Sequence, residues 1–136
     1  MWWVYFSTTA EAATGVLASA ADPGRLARAA YTYSHLPMVA GIIVAAVGDE
    51  LLLAHPSGHA EPALLITIVG GPGLFLAGSA LFNRLICGTF PRSHTAGVLL
   101  LAAGALVAPL ASPLVLGALT TGVLAGVGIC ESARPS

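Results

Sequence analysis

Four long apolar stretches, separated by short polar interruptions, organise this chain of 136 residues. Scanned with a window of about 19 residues, they run approximately from Ser34 to Leu53, Pro62 to Phe82, Thr95 to Ala111 and Pro113 to Cys130. Each is close to the roughly 20 residues that a helix needs to cross the hydrocarbon core of a bilayer. Leu64 to Phe82 and Val98 to Leu110 are apolar on every face. Membrane strands would instead alternate apolar and polar residues in runs of about ten, so a barrel is excluded. The pattern predicts an all-α fold, an integral membrane helical bundle with about four transmembrane helices. Each start carries a helix signal: Ser34 with Pro37 in the first turn, Glu61 before Pro62, Ser93 or His94 before Thr95, and Ser112 before Pro113. The chain divides into residues 1–30, an aromatic and interfacial segment, and residues 31–136, the four-helix transmembrane domain.

Composition agrees with this pattern. Apolar side chains make up 57% of the chain and charged ones 8%, with a mean hydropathy of +0.88. Soluble domains carry roughly 25% charged residues, so the expected surroundings are a lipid bilayer. No lysine is present, and the net charge is -1. That leaves too little positive charge to neutralise a run of phosphates, which excludes nucleic acid as a partner. Cys87 and Cys130 are too few and too isolated for a disulfide framework or a metal knuckle.

The arginines predict an orientation, because positively charged loops are retained in the cytoplasm. Arg25 and Arg28 precede the first span, Arg84 and Arg92 lie in the loop between the second and third, and Arg134 follows the fourth. The other side receives Asp49, Glu50, His55, His59 and Glu61, together with the Ala111-Ser112-Pro113 corner. Both ends are therefore expected in the cytoplasm of a cell whose plasma membrane this chain crosses. The aromatic start, Met1-Trp2-Trp3-Val4-Tyr5-Phe6, is too short to span and has no cleavage site. It reads as the last turn of a helix lying upstream. Ser7 to Ala21 favours a weak helix ended by Asp22-Pro23-Gly24, and Arg25 to Tyr33 is expected to lead into the first span along the surface. The four spans show no internal repeat.

Four segments resemble the bacterial low temperature requirement A (LtrA) family. They are Arg28-Ala29-Ala30-Tyr31-Thr32-Tyr33-Ser34-His35-Leu36-Pro37-Met38-Val39-Ala40-Gly41-Ile42, the Trp2-Trp3-Val4-Tyr5-Phe6 start, Ala46-Val47-Gly48-Asp49-Glu50, and Gly70-Gly71-Pro72-Gly73-Leu74-Phe75-Leu76. The Tyr-x-Tyr-x-His-x-Pro run is the most specific. The resemblance covers essentially the whole chain, and since members of that family are typically longer, it implies a match to their C-terminal portion. An acidic residue often follows the aromatic start in that family, where this chain has Ser7. The resemblance implies a multi-pass inner-membrane protein linked by name to growth in the cold, and it carries no settled biochemical activity.

Few residues have the chemistry for more than packing. Asp49 and Glu50 end the first span and point about 100° apart, so one at most faces the bundle interior. They suit a proton or cation site at the outer mouth, or equally a solvated helix end. His35 lies fourteen residues earlier, within about 40° of the Asp49 face and roughly 21 Å below it. With Tyr31 and Tyr33 it suits a proton relay, or equally an interfacial anchor. His35, Asp49 and Glu50 form the candidate polar pathway. Gly70, Gly71, Pro72 and Gly73 predict a helix break halfway across the second span, either lining a site or acting as a packing kink. Ala118, Gly122 and Gly126 form a flat stripe for helix packing, with smaller surfaces at Gly41 and Ala45 and at Gly104 and Ala108. His55, His59 and Glu61 would suit zinc only on a helix, which Pro56 and Gly58 oppose, so no metal is expected.

No nucleophile–base pair, phosphate loop or nucleotide fingerprint is evident, so neither an enzyme nor a cofactor is expected. The favoured function is a transporter or an ion or proton pathway component. The alternative is a structural or partner-binding transmembrane bundle without transport activity. In either case a homo-oligomer or additional transmembrane helices are the expected protein partners.

Overall fold

The spans predicted from hydropathy reappear as helices in the computed structural model, which describes residues 1, 15–16, 18–19, 21–57 and 61–133. Helix α1 (Pro23–Arg28) passes through a π turn (Ala29–Tyr33) into α2 (Ser34–Ala54), and is followed by α3 (Pro62–Cys87), α4 (Arg92–Val107) and α5 (Pro113–Ser132). A short 3₁₀ turn (Ala108–Leu110) closes α4. No strand occurs among the described residues. Among the described residues, four helices are long and apolar enough to cross a membrane. Their outer faces expose Leu53, Ile66, Leu106 and Leu110, a surface suited to lipid rather than water.

The corners follow the expected chemistry at two places. Glu61 and Ser112 hold extended backbone immediately before Pro62 and Pro113, whose missing N–H groups fall where a helix needs none. Gly88 ends α3 in the left-handed conformation, φ 74°, and its N–H reaches the Arg84 carbonyl at 3.0 Å. Helix α4 departs from the expectation. Pro91 is its N-cap and Arg92 its first residue, so Ser93 and His94 lie inside the first turn instead of capping it. Pro91 fixes φ and can start the helix three residues early.

Two further boundaries differ. Arg25 to Tyr33 is helical and joins α2 without a break, giving one helix of 32 residues from Pro23 to Ala54. Pro37 therefore lies well inside a helix and removes a backbone donor there, and the π turn lies one turn before it. Helix α3 is continuous through Gly70, Gly71, Pro72 and Gly73, so the predicted break is corrected to an unbroken helix. The aromatic start Trp2 to Phe6 lies outside the described residues, as do Gly58, His59 and Arg134. Of the weak helix expected over Ser7 to Ala21, Gly15, Val16, Ala18 and Ser19 are described and helical.

Successive helices run antiparallel. Gly48 lies against Ile68, Gly41 against Phe75 and Gly78 against Met38, so α2 and α3 pair in opposite directions. Ser79 with His94 pairs α3 with α4, and Gly97 with Val127 pairs α4 with α5. Helix α3 is the centre: 56% of its apolar window is buried, against 28% or less in the others. Its Gly71 lies at the contact with α2, since a Cβ there would stand 2.5 Å from the Ala45 nitrogen. The absent side chain lets α2 press directly on the α3 backbone. Among the described residues, three apolar layers fill the interior, one built on Phe75, Leu76, Met38 and Leu101, one on Leu64, Ile68, Ala108 and Leu116, and one on Ala30, Phe82 and Ile86.

Candidate functional site

At the end of the bundle that carries Arg84 and Arg92, the apolar packing gives way to a buried polar group. Ser79 Oγ on α3 lies 2.9 Å from Nε2 of His94 on α4. The other ring nitrogen, Nδ1, lies 3.7 Å from Oε1 of Glu131 on α5. The Ser93 hydroxyl donates to the same carboxylate oxygen and lies 3.4 Å from His94 Nδ1. Asn83, one turn after Ser79, donates from Nδ2 to the Ser79 carbonyl at 3.1 Å. Relative exposures of 0% for Ser79, 1% for His94 and 5% for Glu131 place the group inside the protein.

The helix starting at Pro91 is what makes this arrangement possible. Because Ser93 and His94 are helical, their side chains project from a rigid first turn, one toward α5 and the other between α3 and α5. Antiparallel pairing about Ser112 does the rest, since Ser93 and Glu131 lie nineteen residues to either side of that corner. A carboxylate taken from water needs a partner or hydrogen bonds, and Glu131 has His94 beside it and Ser93 donating to it. The imidazole can change roles here. With a proton on Nδ1 facing Glu131, Nε2 accepts from the Ser79 hydroxyl. With both nitrogens protonated, Ser79 turns and accepts instead. A single hydroxyl rotation therefore accompanies gain or loss of a proton. The order of groups resembles that of a serine nucleophile, its base and an orienting acid. Ser79 itself is fully buried in this arrangement.

The residues singled out from sequence are distributed differently. His35 is half-buried on α2, stacked on Tyr31 at 5.3 Å and edge-on to Phe82 at 5.6 Å between ring centres. Phe82 is one turn beyond Ser79 on α3, so His35 shares the depth of the polar group from the α2 side. Asp49 and Glu50 are both exposed at the opposite end of α2. The face of α2 packed on α3 carries Ser34, Met38, Gly41 and Gly48. His35 and Asp49 each follow that stripe by one residue, and His35 is covered by the Tyr31 and Phe82 rings while Asp49 is left open. The structure therefore does not bring the three together. Near the same end, His55 and Glu61 line a cavity of about 220 Å³ with Leu51 and Ser57, while His59 lies outside the described residues. Among the described residues, no three His, Cys, Asp or Glu side chains gather as metal ligands.

The packing residues also divide. Gly122 and Gly126 have nothing within 4 Å of where a Cβ would stand, and with Ala118 they are exposed. Gly122 and Gly126 line an apolar groove of about 530 Å³ between α4 and α5 that ends at Ser93 and Cys130. Gly70 and Gly73 are equally open, and only Gly71 and Pro72 of that run are buried.

Sequence reasoning missed Ser79, Ser93, His94 and Glu131. A signal was available: Glu131 is an acid within an otherwise uncharged span, and such residues are costly unless paired. Counting outward from the Ser112 corner would have identified its partners.

Comparison with known proteins gives these features a family. The chain is 36% identical over 131 residues to the uncharacterized protein RA0937 of Rhizobium meliloti (strain 1021). That alignment covers 96% of this chain and 32% of the relative, so the chain spans about a third of the relative's length. No solved structure matches. The sequence model of the bacterial low temperature requirement A protein matches residues 1–129, and this membrane chain therefore belongs to the LtrA family.

Proposed function

We propose that this chain is part of a proton or ion pathway across the bacterial plasma membrane, with His94 and Glu131 as its proton-holding element. The observation that carries the reading is the buried Ser79–His94–Glu131 group, because an ionisable pair inside a membrane bundle is costly and marks a pathway more often than a packing site. His35 belongs to the same end of the path, and Asp49 and Glu50 to its opposite mouth. By the positive-inside rule, the arginines support a cytoplasmic position for the His94 end. No catalytic step and no cofactor is part of this proposal.

The test is proton flux into liposomes holding the purified protein, read with an internal pH-sensitive dye. Wild type is expected to conduct, while His94→Gln and Glu131→Gln, which retain polar atoms at both positions, stop the flux with helicity unchanged. Flux in both variants equal to that of wild type would sink the proposal. The open groove favours a second reading, in which the bundle serves assembly and a second copy lays a helix across Gly122 and Gly126. Gly122→Leu would then disrupt the oligomer and leave flux through the surviving monomer untouched.

A further inference from the structure

We infer that Arg25, Arg28, Thr32 and Tyr33 form a binding site for the phosphate of an anionic phospholipid headgroup. These four residues line a cavity of about 320 Å³ on the helix that leads out of the membrane at the arginine-bearing end. Every one of them offers N–H or O–H donors, and two are guanidinium groups, whose fork matches phosphate oxygens. The π turn is what gathers them. Hydrogen bonding from i to i+5 returns residue i+5 over residue i, so Tyr33 comes round onto the Arg28 face, where a regular helix would turn it away. The Arg28 guanidinium folds back over the preceding turn, with Nη1 3.7 Å from the position a Cβ on Gly24 would take. Arg25 meets the Asp22 carboxylate through its backbone N–H, which donates to Oδ1 at 3.0 Å, and through Nε, 3.8 Å from Oδ2, while its guanidinium stays exposed to a ligand.

Depth selects the lipid headgroup as the source of the phosphate. Pro23–Ala54 has 32 residues, about 48 Å of helix, against a hydrocarbon core of about 30 Å, so one end must stand among or beyond the headgroups. Ala30 packs on Phe82 and Ile86 of α3, which sets Tyr31 at the depth of Arg84, and Tyr33 is 69% exposed, as aromatic residues are at a membrane interface. Arg28 lies about 4.5 Å beyond Tyr31 along the axis and Arg25 about 9 Å. The headgroup layer is roughly 5 to 7 Å thick on each side, within reach of both side chains.

Native mass spectra of the detergent-released protein, titrated with phosphatidylglycerol or with zwitterionic phosphatidylcholine, test the site. An arginine near such a surface is worth about fivefold in affinity, so wild type is expected to retain phosphatidylglycerol about tenfold or more in preference. Arg25→Gln with Arg28→Gln removes the preference, and since all four residues are exposed the variant folds as wild type does. Arg84→Gln, which removes one charge from the same end, leaves it intact, because Arg84 is already engaged with the Gly88 carbonyl at 2.7 Å and the Phe90 ring. Equal retention of the two lipids by wild type overturns the inference, as does an equal loss in Arg84→Gln, which would mark bulk charge. Displacement of phosphatidylglycerol by millimolar inorganic phosphate also overturns it, by making the ligand a free anion.

Discussion

The α2–α3 seam and the α4–α5 seam are both built on small residues, yet one is closed and the other open. In the first, a Cβ on Gly41 would lie 2.5 Å from the Phe75 nitrogen and 2.7 Å from the Gly71 oxygen, and one on Gly48 3.0 Å from the Ile68 nitrogen. Backbone meets backbone, and no side chain can yield. In the second, Gly122 and Gly126 face open space, and Gly97 against Val127 and Ser93 against Glu131 join the helices toward the arginine-bearing end. Small residues permit close approach without compelling it. In lipid there is little hydrophobic drive between helices, so close approach must come from matched surfaces or from polar groups that need each other. The α2–α3 seam uses the first means, and the arginine-side end of α4–α5 uses the second.

Substitutions can break this contrast. The largest effect is expected at Gly41→Ala, where one methyl group meets backbone on two sides. Overpacking of this kind costs about 1–3 kcal/mol, and here the neighbour cannot move aside, so the melting temperature of the purified protein falls sharply or folded protein is lost. An unchanged melting temperature would show that α2 and α3 are not pressed together. Next is Glu131→Ala, which leaves Ser93 and His94 without the carboxylate they share. Leaving buried polar groups unsatisfied costs about 1–3 kcal/mol, and thermal unfolding compared with Glu131→Gln separates that cost from loss of charge. If the two variants melt alike, the hydrogen bond is not what ties α5 to α4. The smallest change belongs to Gly122→Ala. Its Cβ enters open space, and alanine gains roughly 0.5–1 kcal/mol of helix propensity, so the monomer melts at the same temperature or slightly higher. A clear loss of stability there would mean that the α4–α5 groove closes on something.

The polar chemistry shows how far a linear reading reaches. Asp49 and Glu50 stand out in the sequence because they interrupt an apolar run, and they are exposed because they lie off the face of α2 that packs on α3 through the adjacent Gly48. His94 is inconspicuous beside Arg92 and Ser93 at the edge of a loop, yet it is buried. The difference turns on where α4 begins. A start at Thr95 would leave His94 as a cap in the headgroup layer, whereas the start at Arg92 turns it inward between α3 and α5. Gly71 makes the same point for packing. Beside Pro72 it suggests a broken helix, and its actual role becomes visible only when Ala45 is seen against it.

The sequence by itself determined the four helices and the places where the chain turns, because transfer of an apolar residue into lipid is a local, additive quantity and proline or glycine at a corner acts on its own backbone. Only the tertiary structure decided that α3 is central, that the α2–α3 seam is closed while Gly122 and Gly126 stand open, and that Ser79, His94 and Glu131 meet. Those outcomes depend on which faces of four similarly apolar helices come together. A mean hydropathy cannot rank such faces, since lipid satisfies each of them almost as well as another helix does.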